Sequence, residues 1–430
     1  MLTLSIFGGL IGLMAIGVPI AISLALTAIA TMYWMGGTNL LIMLSQRMYA
    51  STISFPLLAI PFFILAGNLM NTGGVTHRIF AVAQLLVGRI PGGLGHVNVL
   101  ASMIFAGMSG SAVADAVALG TIEIEAMRRA GYTTRFAAAI TAVSSTIGPI
   151  IPPSIPFVIY GALANVSVGA LFLAGIIPGF LMGLALMIAI AIMARRRSFP
   201  RSQARPPLRD AVLILRGALP ALAMPVLVVG GILTGLFTPT EASVIASLYA
   251  LVLGTLVYRE LHLSDLPEIF WATGKETVQV LIIIAGAGAL GWVMVQQRIP
   301  NTIISAILDF STTPWIVLLV VNAVLLVLGC FMESIAIMLI TSPIFLPLMA
   351  KIGVDPVHFG VIMVLNLMIG LLTPPVGLCL YAISSISQEP MGALVWEMWP
   401  YILALLVVLG VVTFVPAASI WLPHQFGLGG

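Results

Sequence analysis

"STIGPIIPPS" occupies residues 145–154, between the apolar runs "RFAAAITAV" (135–143) and "IPFVIYGAL" (155–163). The two runs together are long enough to cross a bilayer. Pro149, Pro152 and Pro153 interrupt them, and Pro156 follows. Proline removes an amide donor and clashes with the preceding turn, and it drives the residue before it out of the helical region. The segment therefore cannot be one continuous helix. Backbone groups freed at membrane depth cost several kcal/mol each unless they find partners. Such a break survives only when it is buried in protein or lines a cavity.

The composition makes lipid the solvent. The chain has 430 residues, of which 60% are hydrophobic and 7% charged, with a mean hydropathy of +1.18. A soluble domain carries about 25% charged residues. There is room for roughly ten spans of ~20 residues and no stretch polar enough for a separate soluble domain. Nucleic acid is not an expected partner. The first apolar run lacks a basic n-region and is about twice a signal-peptide core, so it reads as a retained span. Cys330 and Cys379 form no disulfide framework, and no Cys/His metal spacing occurs.

The opening motif recurs. "GPIIPP" begins at Gly148 and "GLLTPP" at Gly370, and the same offset relates Gly107 to Gly329, Met127 to Met349 and Gly131 to Gly353. Each copy has a Gly-bearing turn, a helical stretch, Met-x-x-x-Gly and then the Pro-Pro break. The chain therefore divides into a first repeat (1–194), a basic loop with a linking span (195–235) and a second repeat (236–430).

Charge orients it. Six arginines crowd 195–209, which the positive-inside rule makes cytoplasmic. The expected spans are 3–33, 53–71, 168–194, 213–235, 239–258, 276–294 and 393–420. Broken spans lie at 133–165 and 356–388, and re-entrant hairpins at 94–127 and 313–350. Segments 38–50 and 76–88 are short, amphipathic and suited to the interface. This arrangement puts 14 of the 17 Lys and Arg residues inside, the N-terminus in the cytoplasm and the C-terminus in the periplasm. The linking span inverts the second copy. The fold class expected is an all-α polytopic membrane protein, an inverted-topology repeat with two re-entrant hairpins and two Pro-broken helices, as in secondary transporters.

The breaks carry the expected chemistry. Unwound carbonyls suit a hard cation such as Na⁺, and the N-terminus of the following half-helix suits an anion. One cation pocket is expected from Ser109, Gly110, Ser145, Thr146 and Gly148. The other is expected from Gly329, Met332, Gly370, Thr373 and Pro374. Ser111, Asp115, Ser154, Glu333, Ser334 and Thr373 are the expected substrate contacts. The plainer alternative is that these small residues only let helices pack closely, with Asp115 a structural hydrogen-bond acceptor. Thr238 and Glu241 read as a capping box. Glu123 and Glu125 are expected to be solvated near Arg128 and Arg129.

Five motifs share a further resemblance: "SFPLLAIPFFILAGNLMNTGG" (54–74), "PGGLGHVNVLASMIFAGMSGSAVADAVALG" (91–120), "STIGPIIPPSIPFVIYG" (145–161), "FTPTEASVIASLYAL" (237–251) and "GLLTPPVGLCLY" (370–381). In this order they resemble the large membrane (M) subunit of TRAP transporters, the DctM-like family. The resemblance implies a bacterial inner-membrane protein that works with a small membrane (Q) subunit and a periplasmic substrate-binding (P) protein. It implies Na⁺-driven import of an organic acid, often a carboxylate or sialic acid, on an elevator-type fold. The small subunit is expected as a separate chain, since no further helices precede residue 1. A self-sufficient Na⁺/carboxylate symporter is the alternative, and a channel a more distant one. An intramembrane enzyme is not expected, because neither HExxH nor a Ser/His or paired-Asp constellation is present.

Overall fold

A computed structural model describes residues 2–36, 38–197, 199 and 207–428. Arg201 and Arg205 of the basic loop lie outside the described residues. Among those described, the regular structure is entirely helical, with twenty α-helices. α1 (Leu2–Ala15), α2 (Ile20–Gly36) and α3 (Thr38–Thr52) lead to α4 (Ala59–Thr72) and α5 (Val75–Val87). A hairpin follows, α6 (Gly93–Ser109) and α7 (Ala112–Arg129), then an interrupted pair, α8 (Thr134–Ser144) and α9 (Ile155–Ala164). After α10 (Val168–Arg196), α11 (Leu208–Leu233), α12 (Pro239–Val252), α13 (Leu266–Gln296) and α14 (Ile299–Phe310) comes a second hairpin, α15 (Pro314–Phe331) and α16 (Ser334–Lys351). The second interrupted pair is α17 (Pro356–Gly370) and α18 (Leu378–Ser387), and α19 (Met391–Phe414) and α20 (Ala417–Gln425) close the chain. Eight described helical segments are long and apolar enough to cross a membrane.

The offset that relates Gly148 to Gly370 extends to helix ends. It carries both ends of α7 onto those of α16, and the start of α8 onto the start of α17. The matched glycines have a physical role here. Gly131 and Gly353 both take positive φ, +88° and +71°, just past α7 and α16. The next amides then reach back, Tyr132 to the Met127 carbonyl and Val354 to that of Met349, both at 3.0 Å. A left-handed glycine closes a helix in this way because it has no Cβ to clash.

Two expected spans are divided. Segment 3–33 is α1 and α2, separated at Gly17, whose φ is +87°, and Pro19. Segment 393–420 is α19 and α20, separated at Val415 and Pro416. The helix expected over 276–294 starts earlier, at Leu266. Other single prolines are accommodated within helices: Pro178 lies inside α10, Pro220 and Pro225 inside α11, and Pro343 and Pro347 inside α16. Neighbouring helices can re-satisfy one freed carbonyl, whereas Pro-Pro with a nearby glycine removes too many bonds at once. Thr238 and Glu241 form the expected capping box.

Packing sorts the helices into two groups. α13 packs on α2, α3 and α4, and α4 packs on α12. The hairpins and interrupted pairs interlock with one another and also meet the first group, α16 packing on α13 and α6 on α4. α9 packs on α16 and α17, while α18 packs on α7 and α8. Each half therefore sends the end of its interrupted pair into the other half. From Phe136 to Ser144 and from Val357 to Gly370 every residue of α8 and α17 is buried. Helices buried on all faces belong at the centre of the assembly.

At that centre, α15 and α17 cross backbone to backbone. A Cβ on Gly370 would lie 2.6 Å from the Gly329 Cα, and one on Gly329 would lie 2.9 Å from the Gly370 Cα. Gly370→Ala is expected to force the helices apart and cost about 1–3 kcal/mol, as overpacking does. The midpoint of thermal unfolding in nanodiscs should fall accordingly. Gly392→Ala, where nothing lies within 4 Å, should leave it unchanged.

Candidate functional site

Each hairpin tip rests on the break of its own half. At the first tip Gly110 adopts φ +65°, and a Cβ there would meet the Pro153 carbonyl at 2.7 Å. The return helix α7 is capped by Ser111, whose Oγ accepts from the Ala114 amide at 3.4 Å. Beneath the tip, Ser109 donates its hydroxyl to Asp115 Oδ1. The second carboxylate oxygen, Oδ2, is buried without a hydrogen-bond partner. It faces Gly148, where an added Cβ would collide with it and would sit 3.1 Å from the Ser145 carbonyl. Ser145 and Thr146 donate their hydroxyls back to Ala142 and Val143 carbonyls at 2.8 and 2.6 Å, and the Ser145 oxygen also meets the Cys379 thiol.

A hydroxyl, an orphaned carboxylate oxygen and a main-chain carbonyl around a point with no room for a side chain fit a hard cation. Na⁺ is such an ion. Ser109, Asp115 and the Ser145 carbonyl beside Gly148 would hold it. Bound there, it would neutralise a carboxylate that burial otherwise leaves uncompensated.

The second half repeats the docking with neutral groups. Thr373 Oγ1 lies 3.2 Å from Cys330 Sγ and donates to the Gly370 carbonyl at 2.9 Å. The Val376 amide donates to the Cys330 carbonyl at 2.9 Å, tying tip to break. Met332 is buried and Pro374 exposed. Glu333 caps α16, its Oε2 accepting from the Ile335 and Ala336 amides at 3.0 and 3.2 Å. The counterpart of Asp115 at the repeat offset is Ile337. One pocket therefore carries a buried carboxylate and the other does not.

The two tips share a cavity of ≈ 480 Å³. Ser109, Gly110, Ser111, Glu333 and Ser334 line it. Ser334 is nearly fully buried, and its hydroxyl has no partner. Three expected substrate contacts are not on this wall. Asp115 is turned beneath the tip. Ser154 is engaged within its own loop, donating to the Pro149 carbonyl at 2.5 Å and accepting from the Phe157 amide at 3.2 Å. Thr373 is held by Gly370 and Cys330.

Four polar lining residues are not among the expected contacts: Asn68 and Asn71 on α4, and Glu276 and Gln279 on α13. Polar residues inside apolar spans are costly and signal a functional face, and that signal could have found them. Glu123 corrects an expectation. It is fully buried with neither oxygen hydrogen-bonded, because it follows Asp115 and Leu119 at four-residue steps on the buried face of α7. Glu125, on the other face, pairs with Arg128 and Arg129 at 2.6 and 2.7 Å as expected.

Residues 7–418 match the family model for the tripartite ATP-independent periplasmic transporter, DctM component. The chain is 44% identical over 425 residues to the sialic acid TRAP transporter large permease protein SiaM of Vibrio cholerae, covering 98% of each. It is 44% identical over 385 residues to the C4-dicarboxylate TRAP transporter large permease protein DctM of Pseudomonas aeruginosa, covering 90% of each. The isethionate TRAP transporter permease protein DctMQ of Oleidesulfovibrio alaskensis is 40% identical, and the match covers 96% of this chain but 65% of that longer protein. Among solved structures, the Alcanivorax borkumensis YdaH transporter shares the fold, with a TM-score of 0.64 at 15% identity, over 92% of this chain and 90% of that one.

If Asp115 holds the cation, Asp115→Asn should weaken Na⁺ binding at least about tenfold, or ~1.4 kcal/mol, while folding and membrane insertion persist. Na⁺-dependent thermal stabilisation of the purified protein reads this directly. Unchanged Na⁺ stabilisation in the variant would make Asp115 a packing residue.

Proposed function

The chain belongs to the DctM component family of tripartite ATP-independent periplasmic transporters, and from that premise we propose that it carries an organic acid across the bacterial inner membrane, driven by Na⁺. As a TRAP large permease subunit it is a multi-pass membrane protein and not an enzyme. The observation that carries the proposal is the shared cavity at the two hairpin tips, with the unpartnered Asp115 oxygen directly beneath one of them. An anion placed in the cavity lies against the first turn of α7, whose dipole favours negative charge. A cation placed at Asp115 lies on the other side of the same tip. Each stabilises the other, which is the physical requirement for symport.

The inverted-topology repeat, with hairpins that enter and leave on one side, explains why helix boundaries recur at one fixed offset. It also explains why each interrupted pair ends in the opposite half. In an elevator mechanism, the hairpins and interrupted pairs move as one unit against a frame of α2, α3, α4, α12 and α13. The contacts of α16 with α13 and of α6 with α4 are then the surfaces along which unit and frame would slide. The cavity, lined from both groups, is then the boundary across which substrate is first met and later released. The N-terminus lies in the cytoplasm and the C-terminus in the periplasm in this scheme.

A small Q subunit and a periplasmic P protein complete the system. The longer DctMQ relative, in which a permease of this kind occupies about two thirds of the chain, supports a Q partner. Co-reconstitution tests the whole scheme. Proteoliposomes holding this chain, its Q subunit and the loaded P protein should accumulate the acid under an inward Na⁺ gradient and lose that accumulation when the gradient collapses. Uptake by this chain alone would identify a self-sufficient symporter instead. Two cation pockets, one per half, predict a Na⁺ Hill coefficient near two. A value near one with a single titrating site would count against the second pocket.

A further inference from the structure

The charges around the cavity discriminate between kinds of organic acid. Glu276 and Glu333 both line it, and among the described lining residues there is no lysine, arginine or histidine. Glu333 is partly committed, since its Oε2 caps α16. Glu276 is less so. It faces the Asn68 amide, which also donates to Thr273 Oγ1 at 3.1 Å. One amide hydrogen satisfies only part of a carboxylate with about four lone-pair sites. On the wall contributed by α4 and α13 it is the Glu276 carboxylate that has acceptor sites in want of donors, while Asn71 and Gln279 beside it carry both donors and acceptors, the Asn71 Oδ1 already accepting from Thr76 at 3.2 Å.

The first tip offers the opposite chemistry. Ala112, Val113 and Ala114, in the first turn of α7, line the cavity, and the cap there is the neutral Ser111. Asp115 also lies in that first turn but outside the cavity lining, so the amide end that faces the cavity still offers a place for a substrate carboxylate. At the second tip that role is already taken by Glu333. A ligand with one carboxylate and, further along, hydroxyl or amide donors satisfies both walls. A dicarboxylate brings its second charge against Glu276 or Glu333 with no cationic side chain to offset it, and like charges in a low-dielectric site repel strongly. The ≈ 480 Å³ volume lies within the range of about 300–1,000 Å³ typical of small-molecule sites.

Resting on the organic-acid function proposed above, we infer that the substrate is a monocarboxylate bearing hydroxyl or amide donors, and that Glu276 selects it against dicarboxylates. Glu276 does so both by accepting those donors and by repelling a second carboxylate, the two halves of a specificity device.

The full chain in nanodiscs, in saturating Na⁺, is titrated with gluconate, N-acetylneuraminate and succinate, with ligand-induced thermal shift as the readout. At least one of the two donor-bearing acids should bind about tenfold or more tightly than succinate, as expected of a site built to hydrogen-bond its ligand. Glu276→Gln should narrow that gap by about tenfold, weakening the donor-bearing acid and strengthening succinate. Succinate binding as tightly as both others to the unaltered protein overturns the inference. So does a Glu276→Gln protein that weakens all three equally, which marks a packing role. If the variant does not fold, the ranking on the unaltered protein decides alone. Failure of all three acids to bind in Na⁺ overturns the organic-acid function itself, and the inference with it.

Discussion

Every main-chain amide and carbonyl at membrane depth needs a partner, and the two Pro-Pro breaks are where this chain meets that demand without a helix. The first break satisfies itself. Its amides turn back on nearby carbonyls, Gly148 to Ser145 and Ile150 to Ile147 at 3.1 and 3.0 Å, and the Ser154 hydroxyl closes the loop on Pro149. The second break has Val376 where the first has Ser154. Lacking that hydroxyl, it uses the Cys330 carbonyl of the hairpin tip. Satisfying the backbone and docking the tip are therefore the same event in the second half. The glycines at 329 and 370 let the two backbones come close enough for it.

This arrangement makes the halves similar in shape and different in charge. The first hairpin carries Asp115 and Glu123 inside it, while Ile337 and Phe345 occupy the matching positions of the second. Polar locks between hairpin and interrupted pair persist in both. Asn98 donates to Thr141 at 2.6 Å and accepts from Ser144 at 2.7 Å. Asn366 donates to Asn322 Oδ1 at 2.9 Å, and Asn322 donates to Thr413 at 3.0 Å. Hydrogen-bonded amides buried in this way hold the two arms in register without carrying charge. Fully burying carboxylates in one half alone makes the two pockets unlike in charge, the second tip carrying only the half-buried Glu333 that caps α16.

The cavity sits where these properties meet. Its moving wall, in the elevator scheme, is made of tips whose geometry the breaks dictate. Its frame wall is made of α4 and α13, which the repeat motifs do not mark. In the proposed scheme, coupling between ion and substrate would follow from position: Ser109 donates its hydroxyl to Asp115 and also lines the cavity. A change in occupancy beneath the tip would then alter the groups that face a ligand above it.

Much of this was legible in the residues. Mean hydropathy dictated lipid as solvent, proline chemistry dictated the breaks, and the recurrence of Gly107, Met127, Gly131 and Gly148 at one offset dictated two matching units. These are local or periodic properties, and a linear string records them. What the string did not record is which side chains turn inward. Glu123 and Glu125 differ by two positions, yet one is buried and the other is paired with arginines, because only packing against the neighbouring helices decides which face of α7 is covered. Likewise Ser154 reads as a ligand and folds as a loop lock, while Glu276 reads as the edge of a span and lines the cavity. Chain chemistry alone determined where helices must stop. Which polar groups face one another across the gap depended on how distant helices pack, and that is a property of the tertiary structure.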